Sequence, residues 1–127
     1  MIKHNPVSYR ENPFRRIYES EAFKGVLWHK DGMPDFPHIV DIELTNCCNL
    51  NCIFCGQQAM SRPKGFMSEG VFKKIVDECL LYNTPVRFIR WGEPFLHPKI
   101  DDFCKYVKSK GLMLHITNNG LAIKESH

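Results

Sequence analysis

Strand-like and helix-like segments alternate along most of this chain. Three short runs carry the apolar and β-branched residues that strands favour. They cover residues 38–45, 85–91 and 112–117. Two amphipathic segments, 68–80 and 98–110, separate them. Because parallel neighbours need a crossover connection, this order predicts an α/β fold with a parallel βαβαβ sheet.

Both amphipathic segments have helix signals. Ser68 can cap the first helix, and Met67 and Phe72 occupy the positions of a hydrophobic staple. The predicted apolar face of this helix consists of Val71, Phe72, Ile75, Val76, Cys79 and Leu80. The second helix is predicted to bury Ile100, Phe103 and Val107. Gly111 would form its carboxyl-terminal cap.

Three cysteines lie on one short loop directly after the first predicted strand. Cys48, Cys52 and Cys55 are separated by three and then two residues, and Phe54 precedes the last of them. Three thiolates can hold three corners of a cubane iron–sulfur cluster, which leaves one iron open. An open iron can bind a further ligand, so this loop is a candidate cofactor site.

The cysteines fit other kinds of site less well than they fit an open iron–sulfur cluster. A structural zinc site takes four ligands, commonly in two separated pairs, and no second pair follows in the sequence. A ferredoxin-type carrier needs four cysteines per cluster, and Cys47 is expected to point away from the cubane of its neighbours. Disulfides belong mostly to oxidising compartments, and no apolar run of signal-peptide length indicates one here. Cys47, Cys79 and Cys104 are interpreted as structural residues.

The cysteine loop and two later motifs together resemble the radical S-adenosylmethionine enzymes. The pattern Cys48-x3-Cys52-x2-Cys55 with Phe54 is similar to the signature of that family. Trp91-Gly92-Glu93-Pro94 resembles its Gly-Gly-Glu-Pro segment, and Thr117-Asn118-Asn119-Gly120 resembles its Thr-Asn-Gly turn. Each motif follows a predicted strand, at the sheet edge where parallel α/β proteins bind ligands.

The resemblance implies roles for individual residues. Cys48, Cys52 and Cys55 would ligate a [4Fe-4S] cluster. Gly92 and Glu93 would receive the amino group of S-adenosylmethionine, although Trp91 stands where the family has another glycine. Phe54 would lie near the adenine. The candidates for contact with the methionine carboxylate or the ribose are Thr117, Asn118 and Asn119.

The resemblance also implies an oxidoreductase or lyase reaction. In the family, the reduced cluster cleaves S-adenosylmethionine to methionine and a 5′-deoxyadenosyl radical, which abstracts hydrogen from a substrate. A partner such as flavodoxin or ferredoxin would supply the electron. The stretch Arg62-x-x-Gly65-x-Met67 is similar to members that modify peptides or cofactor precursors. The alternative is a non-catalytic iron–sulfur module that serves electron transfer or sensing.

The family fold is a TIM-like partial (β/α)6 barrel, of which this chain would supply half. The core domain would span residues 38–127 and end after the third strand, as expected for a truncated barrel. Residues 1–37 would form an N-terminal extension. Within it, a short helix from Asn12-Pro13 and a strand over Gly25–Lys30 are predicted.

Composition and charge indicate which classes of protein this chain does not resemble. The chain has no apolar run of the length of a signal peptide or membrane span, so a cytoplasmic protein without membrane partners is expected. The formal net charge of +3 is small and evenly spread, and does not indicate nucleic-acid binding. The hydrophobic content of 43% is ordinary for a globular domain.

Overall fold

The computed structural model describes Glu19 and residues 35–124. Its helices and strands are β1 (Val40–Ile42), α1 (Glu69–Leu81), β2 (Val86–Phe88), α2 (Ile100–Ser109) and β3 (Leu114–Ile116). Over these residues, neither helix has the length and apolar character needed to cross a bilayer. Apart from Glu19, the residues of the helix and strand predicted before residue 31 lie outside the described part of the chain. The domain boundary at residue 37 stays a prediction.

The three strands form one parallel sheet in the order β1-β2-β3. Ile42, Phe88 and Ile116 are aligned across it in register. A helix joins each strand to the next, as parallel neighbours require. The predicted α/β class and the parallel βαβαβ order are therefore confirmed.

Each strand is shorter than the sequence predicts. Three residues pair in each, against the predicted ranges 38–45, 85–91 and 112–117. Thr45, beyond β1, instead forms an isolated antiparallel bridge with Phe66. Beyond β2, Arg90 has φ 126°, which no extended strand adopts. The predicted strand ends therefore belong to the loops that build the site.

Helix α1 is anchored as predicted but buries a narrower face. The Val71 amide donates to the Ser68 hydroxyl at 3.4 Å, which confirms the cap. The fully buried side chains on this helix are Phe72, Val76 and Cys79. Val71 and Leu80, predicted to share the apolar face, are 51% and 38% exposed. Only the central stripe of the helix meets the sheet, so the residues that flank it face solvent.

Helix α2 buries Ile100, Phe103 and Val107 as predicted. The Phe103 ring stacks on Phe72 of α1, with 3.8 Å between the ring centroids. Gly111, with φ 74°, follows the helix in the left-handed conformation of a carboxyl-terminal cap. The two helices therefore cover the same face of the sheet and share one hydrophobic core with it.

Candidate cofactor site at the carboxyl edge of the sheet

Three loops, one after each strand, are joined by hydrogen bonds at the carboxyl edge of the sheet. The Glu93 amide, after β2, donates to the carbonyl of Cys47 in the cysteine loop at 2.8 Å. The Asn119 side-chain amide, after β3, donates to Asn49 Oδ1 in the same loop, also at 2.8 Å. The parallel topology thus brings the three predicted motifs into one place.

Glu93 is the link between two of these loops. Its side chain is buried, with the residue only 2% exposed. Oε1 accepts a hydrogen bond from the Phe95 amide at 3.1 Å, and Oε2 accepts one from the Asn119 amide at 2.8 Å. A buried carboxylate needs such partners, and hydrogen bonds to a charged group are the stronger kind. Glu93 therefore holds the loop after β3 against the loop after β2.

Gly92 lies where the backbone leaves no room for a side chain. A Cβ atom built there would be 1.9 Å from the Thr45 carbonyl oxygen and 2.9 Å from that of Cys47. No real Cβ approaches an oxygen so closely. The loops after β1 and β2 can therefore meet only because this residue is glycine.

Trp91 covers the end of the cysteine loop. A Cβ atom at Gly56 would lie 3.3 Å from the Trp91 ring, so the ring rests directly on that glycine. Trp91 is 46% exposed despite this contact. The indole thus makes a packing contact that a glycine at position 91 could not make.

The three loop cysteines are free, partly exposed thiols. The Leu50 amide donates to Cys48 Sγ at 3.4 Å, and Asn119 Nδ2 lies 4.0 Å from the same sulfur. Over residues 35–124, no three potential ligand side chains converge on one point, so the thiols form an open loop and no closed cage. Three soft sulfurs with N–H groups directed at one of them suit iron–sulfur ligation.

Buried polar residues hold the start of this loop in place by hydrogen bonds. They were not among the residues predicted from the sequence. Asn46 Oδ1 accepts from the Gly65 amide at 2.7 Å, and Asn46 Nδ2 donates to the Pro63 carbonyl at 2.8 Å. The Thr45 hydroxyl donates to the Gly65 carbonyl at 2.7 Å. Gln57 Nε2 donates to the Asn46 carbonyl at 3.2 Å. The only signal in the sequence is a polar pair placed directly after an apolar strand.

Three predicted contact residues lie apart from this network. Phe54 is 89% exposed at the outside of the cysteine loop. Thr117 Oγ1 lies 3.3 Å from His115 Nε2, and Asn118 Oδ1 accepts from the Gly120 amide at 2.9 Å. Of the residues predicted after β3, only Asn119 contacts both Glu93 and the cysteine loop. The roles of Phe54, Thr117 and Asn118 stay predictions.

Replacing Glu93 with glutamine is expected to destabilise the protein by about 1–3 kcal/mol. An amide has a single acceptor oxygen, so either the Phe95 or the Asn119 amide would face an NH2 group in a buried place. The free energy of unfolding, measured by urea titration, checks this. The matched control is Glu43→Gln, because Glu43 pairs with the exposed Arg62, and we expect a loss below about 1 kcal/mol there. Equal losses would contradict the role given to Glu93.

Cys79 is buried in the hydrophobic core, and Cys104 packs against that core partly buried. Burial, aided by nearby acidic groups, raises the pKa of each to about 11. Since a raised pKa lowers the thiolate fraction, we expect iodoacetamide at pH 8 to spare both residues in the folded, metal-free protein while it labels the loop. Peptide mass spectrometry checks this. Uniform labelling of all the thiols before unfolding would refute their assignment as core residues.

The fold has a clear counterpart among solved structures. A crystal structure of BtrN in complex with AdoMet and 2-DOIA superposes with a TM-score of 0.62 over 74% of this chain and 40% of that chain. The sequence identity is 22%, so the likeness concerns the fold. The antilisterial bacteriocin subtilosin biosynthesis protein AlbA of Bacillus subtilis is 32% identical over 83 residues, 65% of this chain and 18% of that protein.

Two further relatives and a family model agree with one another. An AdoMet-dependent heme synthase of Methanosarcina barkeri is 32% identical over 69% of this chain and 26% of its own length. The tungsten-containing aldehyde ferredoxin oxidoreductase cofactor-modifying protein of Pyrococcus furiosus is 33% identical over 66% of this chain and 24% of its own length. The chain thus spans about a quarter of these relatives. Because the model of the Radical SAM superfamily matches residues 42–127, the chain belongs to that superfamily.

Proposed function

We propose that this chain forms the part of a radical S-adenosylmethionine enzyme that binds a [4Fe-4S] cluster and S-adenosylmethionine. The observation that supports the proposal is the set of hydrogen bonds that joins the three loops. Glu93 accepts from Asn119, Asn119 donates to the cysteine loop, and the cysteine loop accepts from the Glu93 amide. Such a junction at the ligand-binding edge of a parallel sheet suits a cofactor that touches all three loops.

Cys48, Cys52 and Cys55 would hold the cluster. When bound, it would supply the electron that cleaves S-adenosylmethionine to methionine and a 5′-deoxyadenosyl radical, which takes hydrogen from the substrate. The Leu50 amide, 3.4 Å from Cys48 Sγ, would stabilise negative charge on that sulfur. A flavodoxin or ferredoxin is the proposed source of the electron.

The loop after β2 would receive the amino group of S-adenosylmethionine. The Gly92 carbonyl would be one acceptor for this ammonium group. Glu93 already accepts two backbone hydrogen bonds. A carboxylate has about four lone-pair sites, so it keeps the capacity to accept from an ammonium group as well. In this account Glu93 orders the loops and attracts the cation at the same time.

The proposed substrate is a peptide or a cofactor precursor. The names of three relatives refer to heme synthesis, to modification of an oxidoreductase cofactor and to bacteriocin biosynthesis. Two of these names concern a cofactor, and the third concerns a bacteriocin. Such substrates need a wide approach to the site, and the exposed ring of Trp91 at the cysteine loop is suited to contact them.

The experiment is a turnover assay without added substrate. The protein, reconstituted anaerobically with iron and sulfide and reduced with dithionite, is mixed with S-adenosylmethionine, and 5′-deoxyadenosine is quantified by chromatography. We expect 5′-deoxyadenosine from the native chain and none from Cys48→Ala. A protein that assembles its cluster yet produces no 5′-deoxyadenosine would support the non-catalytic iron–sulfur module instead.

A further inference from the structure

The face of the sheet turned away from the helices carries a row of charged and polar side chains. Val86 and Phe88 are buried against the helices, so Arg87 between them points to the opposite face. Asp41 and His115 are the register partners of Arg87 on the neighbouring strands. Burial and the charge of Arg87 lower the pKa of His115, which favours its neutral form. The arginines are the permanent cations of this row.

Two guanidinium groups share one carboxylate on this face. Arg87 binds Asp41 with two bonds, Nε to Oδ1 at 2.6 Å and Nη2 to Oδ2 at 3.0 Å. Arg90 Nη2 approaches the same Oδ2 at 2.9 Å. The side chains of Asp41 and Arg87 are 15% and 19% exposed, whereas that of Arg90 is 56% exposed. Arg87 is thus the more buried partner of Asp41, and Arg90 is the more exposed one. Arg90 contacts Oδ2, which already accepts a hydrogen bond from Arg87.

The backbone of Arg90 is strained. Its φ of 126° lies in a region that glycine enters readily and other residues rarely do. An exposed ion pair contributes little to stability and does not explain why an arginine is held there. Strained residues concentrate at functional sites, where the rest of the structure holds them in place. Arg90 is also only two positions before Gly92, beside the proposed cofactor site.

We infer that Arg90, placed by the Asp41–Arg87 pair, binds a carboxylate group of the substrate. The inference deepens the proposed function and rests on it, because it assigns the substrate to the same edge of the sheet. A guanidinium matches a carboxylate with two parallel hydrogen bonds, and an exposed one can turn from Asp41 to a ligand without unfolding the strand. Asp41 keeps Arg87 as its partner when Arg90 leaves, so no buried charge is stranded.

Succinate serves as the probe for this site. It is titrated into the metal-free 127-residue chain at constant ionic strength and followed by two-dimensional NMR. We expect Arg90→Gly to weaken succinate binding about tenfold, the effect of one lost charge-assisted contact. The same variant should raise Tm by about 4 °C, because glycine accepts the positive φ without strain. The matched control is Arg62→Ala, since Arg62 is 53% exposed and also paired with an acid; we expect its affinity for succinate to equal that of the native chain.

Two results would overturn the inference. A lower Tm for Arg90→Gly with unchanged succinate affinity would make Arg90 a structural ion-pair residue. Displacement of succinate by S-adenosylmethionine in the reconstituted protein would assign the guanidinium to the cofactor's own carboxylate. Because the succinate titration needs neither cluster nor turnover, its failure is distinguishable from a failure of the proposed radical chemistry.

Discussion

Replacing Gly92 with alanine is expected to lower the free energy of unfolding by about 3 kcal/mol or more. The new methyl group would lie 1.9 Å from the Thr45 carbonyl oxygen, which belongs to the backbone and cannot rotate away. Relief requires the loops after β1 and β2 to separate, which would break the bond from the Glu93 amide to the Cys47 carbonyl. Urea denaturation of the metal-free protein measures the loss.

The matched control for this variant is Gly70→Ala in helix α1. No heavy atom lies within 4 Å of a Cβ built at Gly70. Because glycine is a poor helix residue, we expect this change to stabilise the protein by about 0.5–1 kcal/mol. Opposite signs for the two substitutions would show that the close approach at Gly92 is the cause. A neutral Gly92→Ala would mean that the two loops do not meet as described.

Replacing Cys52 with alanine is expected to abolish the assembly of the [4Fe-4S] cluster. The loop then offers two sulfurs at the required spacing, and a cubane with two open corners is not retained. Iron and sulfide content per chain, together with the visible absorbance of the cluster, measure this after anaerobic reconstitution. We expect the loss to be close to complete, with little effect on the fold, since Cys52 lies in a loop outside the hydrophobic core.

Cys47→Ala is the control that separates the three proposed cluster ligands from their neighbour. Cys47 serves the structure through its carbonyl, which accepts from the Glu93 amide, and that contact survives the loss of the thiol. We therefore expect native cluster content in Cys47→Ala. Retention of the cluster in Cys52→Ala, together with its loss in Cys47→Ala, would reassign the metal ligands.

The fold could be predicted because its signals are local and repeated. Alternating strand-like and amphipathic runs indicated a parallel sheet, and Ser68 and Gly111 marked helix ends with residues that have one strong physical reason to be there. The lengths of the strands could not be predicted. Ile89 and Trp91 look like strand residues, but β2 ends at Phe88. The positive φ of Arg90, two residues later, has no signature in a side chain.

The candidate site could be predicted only in outline. The motifs identified the cysteines, Gly92, Glu93 and Asn119 as candidates, and the topology of the sheet brings them together. The hydrogen bonds among them depend on tertiary contacts across 26 and 70 positions of the sequence. The pairing of Asp41 with Arg90 is likewise nonlocal. A sequence pattern records which residues are present, whereas such partners are chosen by the packing of the loops.

The central claim is that the cysteine loop holds a cluster with an iron that S-adenosylmethionine can reach. Electron paramagnetic resonance of the reconstituted, reduced protein, recorded with and without S-adenosylmethionine, tests it most directly. We expect the signal of a reduced cubane that changes shape when S-adenosylmethionine is added. A cubane signal that is indifferent to S-adenosylmethionine, or the absence of any cluster signal, would contradict it.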